Sequence, residues 1–387
     1  MRGNCAKLRL IRNTVSPELS VYRLIASSIV AVCLSLANAG SVLSQSLETM
    51  AGQMILMGFQ GASTSDANFR AVRDQVAAGR IGGVMFLRTN ISSLSDVRAM
   101  NGALRAARPW LAPLIALDQE GGQIRRLTAE VGFEEIASAE AIGRTDPDTA
   151  FAIYGDLARR LAALGFNVNF GPVVDLNINP DNPIIARYER AFGVEAQAVA
   201  AFGTAFVEAH RQAGVLTALK HFPGHGSSTG DTHEGFVDVT DDWQDVELEP
   251  YRLMLAAGEV DMVMVAHIFH EDYAGNGAVQ LPASLSPDWI EGVLRGQLGF
   301  DGVVISDDMQ MGAVRAHFDL RETIVRAVMA GNDILLFSNT ADFDPDLGNQ
   351  IHAILVEEGR ADPNFAARIA QSYERIARLK RQLPPVR

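Results

Sequence analysis

Along the chain, short runs of apolar and β-branched residues alternate with longer stretches whose apolar positions recur every three or four residues. The short runs are Gln53–Phe59, Gly82–Leu87, Pro113–Asp118, Phe166–Pro172, Val215–His221, Val260–His267, Gly302–Asp307 and Asn332–Phe337. The longer ones include Asp96–Ala107, Thr149–Ala163, Glu195–Gln212, Pro287–Leu298 and Leu320–Met329, with a last helix expected over Asn364–Gln382. Near-continuous apolar runs read as strands buried on both faces, and the three-to-four spacing reads as amphipathic helix. Strict alternation of the two implies right-handed crossovers and a parallel sheet. Eight units match a single (β/α)8 TIM-type barrel, with a doubly wound open sheet as the competing α/β arrangement.

The polar residues favour the barrel. Asp118, Asp175, Lys220, His221, His267 and Asp307 each sit at or just after the end of a predicted strand. A barrel gathers such strand ends on one catalytic rim, whereas an open sheet uses mainly one switch point.

The first residues follow another pattern. Arg2, Lys7, Arg9, Arg12 and Arg23 accompany a single acid, Glu18, and an apolar run from Leu24 to Leu36 ends at Ala37-Asn38-Ala39. Basic start, apolar middle and small-residue end are the parts of a signal peptide, and the run is short for a membrane span. We therefore expect residues 1–39 to be a leader, residues 40–387 to form one catalytic domain, and the protein to be exported to the periplasm or medium. A start lower down, at Met50, would instead leave it cytoplasmic.

Of 387 residues, 48% are hydrophobic and 20% charged, which suits a large packed core. The net charge of −13 becomes −17 once a leader with five bases and one acid is gone. Nucleic acid and anionic membranes reward the opposite sign, so neither is expected as a partner beyond the leader itself. Both cysteines, Cys5 and Cys33, lie in the leader, which excludes disulfide and thiolate chemistry from the remainder.

Three constellations carry candidate chemistry. The densest runs from Lys220-His221 through Gly224-His225-Gly226 to Asp231-Thr232-His233. Asp231 and His233 are close enough for a carboxylate to hold an imidazole and fix its tautomer, as acid/base chemistry requires. Lys220 and His221 end a strand, so their side chains should point to opposite sides of it or be splayed by the turn. His221, His225, His233 and Asp231 also form a conceivable zinc set, though without a paired helical spacing. The second constellation is Ser306-Asp307-Asp308, with Asp307 at the rim and Asp308 turned away to cap the following helix. The third combines Asp118 and Glu120 with Arg125 and Arg126, and Asp175 with Arg190. These can be an ion-pair network or grips on sugar hydroxyls.

Taken together, these blocks resemble glycoside hydrolase family 3, in particular its bacterial beta-N-acetylglucosaminidase branch. Lys220-His221-Phe222-Pro223-Gly224-His225-Gly226 followed by Asp231-Thr232-His233 resembles that branch's loop motif. Asp118–Gly122, Asn169–Asp175, Asn182-Pro183, Val265-Ala266-His267 and Leu298–Met309 resemble further family blocks in order. The resemblance implies a retaining double displacement with Asp307 as nucleophile and His233, held by Asp231, as acid/base. It implies substrate contacts from Asp118, Arg126, Arg190, Lys220 and His221, and neither a metal nor an organic cofactor. The expected substrates are N-acetylglucosaminides such as peptidoglycan fragments or chitooligosaccharides, handled by a monomer. A phosphorylase and a non-catalytic sugar receptor are the alternatives. Gln123, Thr232 and Glu234-Gly235-Phe236 depart from the branch pattern, which bears on the shape of the loop.

Overall fold

A computed structural model describes residues 45–108, 111–275, 280–340 and 342–384. The expected leader, with both cysteines, lies outside them. From Leu47 onward the chain forms one compact unit.

Its centre is a closed barrel of eight parallel strands in sequential order. They are β1 (Ile55–Gly58), β2 (Gly83–Met85), β3 (Leu114–Leu117), β4 (Val168–Asn169), β5 (Leu216–Phe222), β6 (Met262–Val265), β7 (Val303–Asp308) and β8 (Ile334–Phe337). All eight expected strands are present, and β1 pairs with β8 to close the cylinder. Every strand residue but Asp307 and Asp308, at the tip of β7, is buried. A strand covered on one side by barrel interior and on the other by helices has no use for alternating polar positions.

The helices between the strands start and stop where the local chemistry dictates. Asp146 accepts from Thr149 N and Pro147 opens the helix Pro147–Leu164, which ends on Gly165 in the left-handed conformation at φ 93°. Ser93 and Asp319 cap Leu94–Ala107 and Leu320–Ala330 in the same way. An N-cap oxygen satisfies a backbone N–H that has no intrahelical partner. The segment Asp288–Gln297 is wound more widely than expected, with Leu298 N reaching Val293 O five residues back.

β4 is shorter than the run Phe166–Pro172 suggested. Pro172 has no N–H to give a ladder. The chain nevertheless stays alongside β5, since Ala218 N donates to Gly171 O, Lys220 N to Pro172 O, and Val174 N to Lys220 O. This irregular stretch delivers Asp175 to the rim beside His221. At the opposite end, the last helix, Pro363–Lys380, lays Lys380 under the barrel, where its Nζ donates to Gln53 Oε1 and Gly82 O.

Candidate active site

The C-terminal ends of β3, β4 and β5 hold a buried charge network. Just past β3, the Gln119 side chain accepts from Arg126 N and Leu127 N and donates to Leu127 O, folding the loop back over the strand end. That loop brings Arg126 Nη2 to Asp118 Oδ2 at 2.8 Å. From β5, Lys220 Nζ lies 2.8 Å from Asp118 Oδ1 and 2.6 Å from Glu120 Oε1. Arg190 grips Glu120 with two parallel bonds, Nε to Oε2 at 2.9 Å and Nη2 to Oε1 at 2.8 Å. The same Nη2 donates to His221 Nε2 at 3.1 Å. A guanidinium only donates, so Nε2 accepts and the ring proton sits on Nδ1, 2.6 Å from Asp175 Oδ2.

Three carboxylates, Asp118, Glu120 and Asp175, thus face three cations, Arg126, Lys220 and Arg190. Burial by itself would favour the neutral acids, yet Lys220 and Arg126 hold Asp118 below the usual carboxylate range, and Arg190 and Lys220 hold Glu120 well below it. Asp175 is likewise lowered despite its burial, by His221 and His225. The anions in turn raise Lys220 and Arg190 against the penalty of burial.

Lys220 and His221 do not part to opposite sides. The register of β5 against β6 shifts between Leu219 and Phe222, and both side chains end in this one network. Beyond them the loop stem is tightly held. His225 N donates to Asp175 Oδ1, and Asn182 Nδ2 donates to the carbonyls of His225 and Ser228. Glu247, buried behind the stem, accepts from Gly226 N at 2.8 Å and Ser227 Oγ at 2.5 Å. A Cβ on Gly224 would stand 2.5 Å from Glu247 Cβ, so a side chain there would force the stem off this carboxyl. Burial pushes Glu247 up to about 7.

At the end of β7 the two aspartates separate as the sequence suggests, with one difference. Asp308 Oδ1 accepts from Gln310 N and Ser338 N, tying β7 to β8 and capping a turn rather than the next helix, which starts at Gly312. Asp307 accepts only from Asp308 N, at 2.8 Å, among the described residues, and no Lys or Arg pairs with it. Burial would raise its pKa, but the imidazoles of His267, His221 and His233 outweigh that and bring it down to about 2. His267 is fixed between Ser284 Oγ on Nδ1 and the Asp308 carbonyl, to which Nε2 donates. Desolvation lowers its pKa.

The Asp231-His233 pair lies further out on the loop. Asp231 Oδ1 accepts from His233 Nδ1 at 2.7 Å and from His233 N at 2.8 Å, leaving Nε2 to carry the mobile proton. The His233 side chain is 66% exposed, so the ring is open to solvent.

The structure therefore joins Asp118, Arg126, Arg190, Lys220 and His221 in a single contact network. Asp307 is linked to it through the field of the histidines, and Asp231 and His233 form a separate pair. The conceivable zinc set is divided: His221 is held by Asp175, His225 by Ser228 and His233 by Asp231. No group of three or more His, Cys, Asp or Glu is placed to hold a metal among the described residues. Glu120 and Asp175 were visible as rim acids but not as the partners of Arg190 and His221. Glu247 carried no local signal, since its contacts lie twenty residues back along the chain.

Comparison with known proteins places this architecture. The pattern of the glycosyl hydrolase family 3 N-terminal domain matches residues 46–379. A beta-hexosaminidase of Stenotrophomonas maltophilia is 34% identical over 312 residues, covering 78% of this chain and 87% of that protein. A family 3 beta-N-acetylglucosaminidase structure from Paenibacillus sp. superposes with a TM-score of 0.77 at 33% identity, over 88% of this chain and 63% of that one. A beta-N-acetylhexosaminidase structure from Beutenbergia cavernae gives a TM-score of 0.77 at 32% identity, over 87% of this chain and 99% of that one.

Proposed function

The chain belongs to glycosyl hydrolase family 3, and we propose that it removes terminal beta-linked N-acetylglucosamine from a small carbohydrate by a retaining double displacement. The activity follows from hexosaminidase relatives that match over most of their own length. One observation carries the assignment of the nucleophile. Every other carboxylate of the network is consumed by a cation or a hydrogen-bonded imidazole, whereas Asp307 is ionised, rim-placed and, among the described residues, bonded to no Lys, Arg or His side chain.

In the first step an Asp307 oxygen bonds to the anomeric carbon as the glycosidic C–O bond breaks, and His233 Nε2 gives its proton to the departing oxygen. In the second step water attacks the same carbon, His233 takes the water's proton, and the Asp307 ester bond breaks to regenerate the carboxylate. Retaining enzymes usually assign both duties to carboxyl groups. Here Asp231 fixes the tautomer and orientation of His233, so the ring can fill the second role. Asp118, Arg126, Arg190, Lys220 and His221 hold the hydroxyls and acetamido group. Their mutual contacts lock the rotamers before substrate arrives, which keeps the ordering cost out of the binding step.

The test is covalent trapping with a fluorinated N-acetylglucosaminide inactivator, followed by peptide mapping. The expected label is on Asp307, and Asp307→Asn is expected to lose at least about 10⁴-fold in kcat/KM while still folding, in line with removal of a covalent nucleophile. A label elsewhere, or an active Asn variant, sinks the assignment.

A further inference from the structure

The loop that carries the acid/base pair is fastened at both of its ends. Upstream, Glu247 and Asn182 hold Gly226–Ser228. Downstream, Val237-Asp238 pairs in parallel with Ile268-Phe269, and Val239 N donates to Phe269 O. The segment between, Thr229–Phe236, contains Asp231 and His233. Its internal bonds run from Glu234 N and Gly235 N to Asp231 O, and these shape the turn without saying where it sits over the barrel.

Two backbone bonds give that position. Ala313 N donates to Thr232 O and Gly312 N donates to His233 O, both at 3.2 Å. These donors stand on the connection that leaves β7, five and six residues beyond Asp307. The approach is close enough to need the missing side chain: a Cβ on Gly312 would lie 2.8 Å from His233 O and 2.9 Å from both the carbon and the oxygen of the Glu234 carbonyl. All three contacts are backbone, so relief requires the loop itself to move.

We propose that Gly312 is a positioning residue for the acid/base, a latch through which the β7 connection sets the distance from His233 to the nucleophile at the tip of that strand. The inference rests on the acid/base reading of His233 given above. Glycine is needed at this site for closeness rather than for backbone freedom, because φ at Gly312 lies in the range open to any residue. Alanine is also a better helix former than glycine, so the short helix Gly312–Arg315 itself tolerates the change. What Gly312→Ala disturbs is the seat of His233.

The readout that separates positioning from general damage is dependence on the leaving group. A 2,4-dinitrophenyl N-acetylglucosaminide departs without a proton, whereas a phenyl glycoside needs one. For both His233→Ala and Gly312→Ala, kcat/KM on the phenyl substrate is expected to fall about 100-fold and on the dinitrophenyl substrate by less than about 3-fold, within the range of lost general acid catalysis or an ångström-scale misplacement. With the dinitrophenyl substrate, kcat falls because water lacks its base. Azide is expected to restore it, its nitrogen bonding to the anomeric carbon as the Asp307 ester bond breaks, to give a glycosyl azide. A kcat/KM on the dinitrophenyl substrate within about 3-fold of wild type doubles as proof that the variant folds. Wild-type behaviour of Gly312→Ala on both substrates, or an equal loss on both, overturns the latch. If His233→Ala itself shows no leaving-group dependence, the acid/base assignment falls instead.

Discussion

Glu120 shows how the site is held at the scale of single residues. Its carboxylate is bonded by Arg190 through two nitrogens and by Lys220 through a third, all nearly out of water. Such a group stabilises the fold less by its own attraction than by what its absence would leave behind, two buried cations short of a partner. Glu120→Gln is therefore expected to cost about 3–5 kcal/mol of unfolding free energy at pH 7, the range for breaking a buried pair from one side. The sign of its pH dependence is fixed by the depressed pKa of Glu120. The stabilisation is present above the ordinary glutamate range near 4.5 and is lost as pH falls below it. Urea unfolding of both proteins between pH 7 and pH 3 should show curves that converge on acidification. A constant gap, or none at pH 7, contradicts the role given to Glu120. The same pairing immobilises Lys220 and Arg190, so the variant is also expected to raise KM more than it lowers kcat.

At the scale of elements, β7 and β8 meet with a fault in register between Ile334 and Leu336, directly behind Asp307. The Ser306 hydroxyl repairs it by accepting from Leu336 N at 3.1 Å, while Met309 N takes the Leu336 carbonyl. Ser306→Ala would leave a buried N–H without an acceptor, at a cost of about 1–3 kcal/mol. Thermal or urea unfolding checks this, and an unchanged midpoint would show that the strand slips into register without help. Such a fault could not be read from the sequence, whereas much else could. The eight strands were legible because runs like Val303–Ile305 are apolar at successive positions, a pattern only a doubly covered strand supports. The rim was legible because Asp118, Lys220 and Asp307 interrupt those runs at their ends. What stayed hidden were closures between distant segments: Arg190 on Glu120 seventy residues away, Glu247 under Gly226, and Gly312 beneath His233. Periodicity constrains neighbours three or four residues apart and carries no information about such pairs. The shared network of Lys220 and His221 was hidden for a related reason, since alternation predicts opposite faces only along regular extended backbone, and β5 is irregular between Leu219 and Phe222.

For the whole molecule, the two ends of the barrel divide the labour. The rim carries ionised groups in balance, and the opposite end closes the cylinder. There Leu335 N donates to Met54 O across the β1–β8 seam, and Lys380 joins the last helix to the residues preceding β1 and β2. Lys380 is only 5% exposed, and it has two neutral acceptors rather than a carboxylate. Burial, with Arg108 nearby, therefore brings its pKa down to about 7 from 10.5. A neutral amine suits this position and an ammonium does not, so a group with a depressed pKa contributes stability that is present above 10.5 and is lost as pH falls towards about 7. His210 and His225, each lowered to about 4 by burial, act in the same direction at lower pH, so the total curve cannot isolate the lysine. A difference can. Lys380→Met retains the apolar stem and removes the titration. The advantage of wild type over this variant is expected to shrink steadily from pH 10 to pH 7 and to stay level below about pH 6, as measured by urea unfolding. Hydrolysis of an aryl N-acetylglucosaminide at pH 7 should be unaltered, because Lys380 lies at the end of the barrel away from Asp307 and His233. A pH-independent difference would mean that Lys380 keeps its proton under the barrel, with Gln53 and the Gly82 carbonyl solvating the charge.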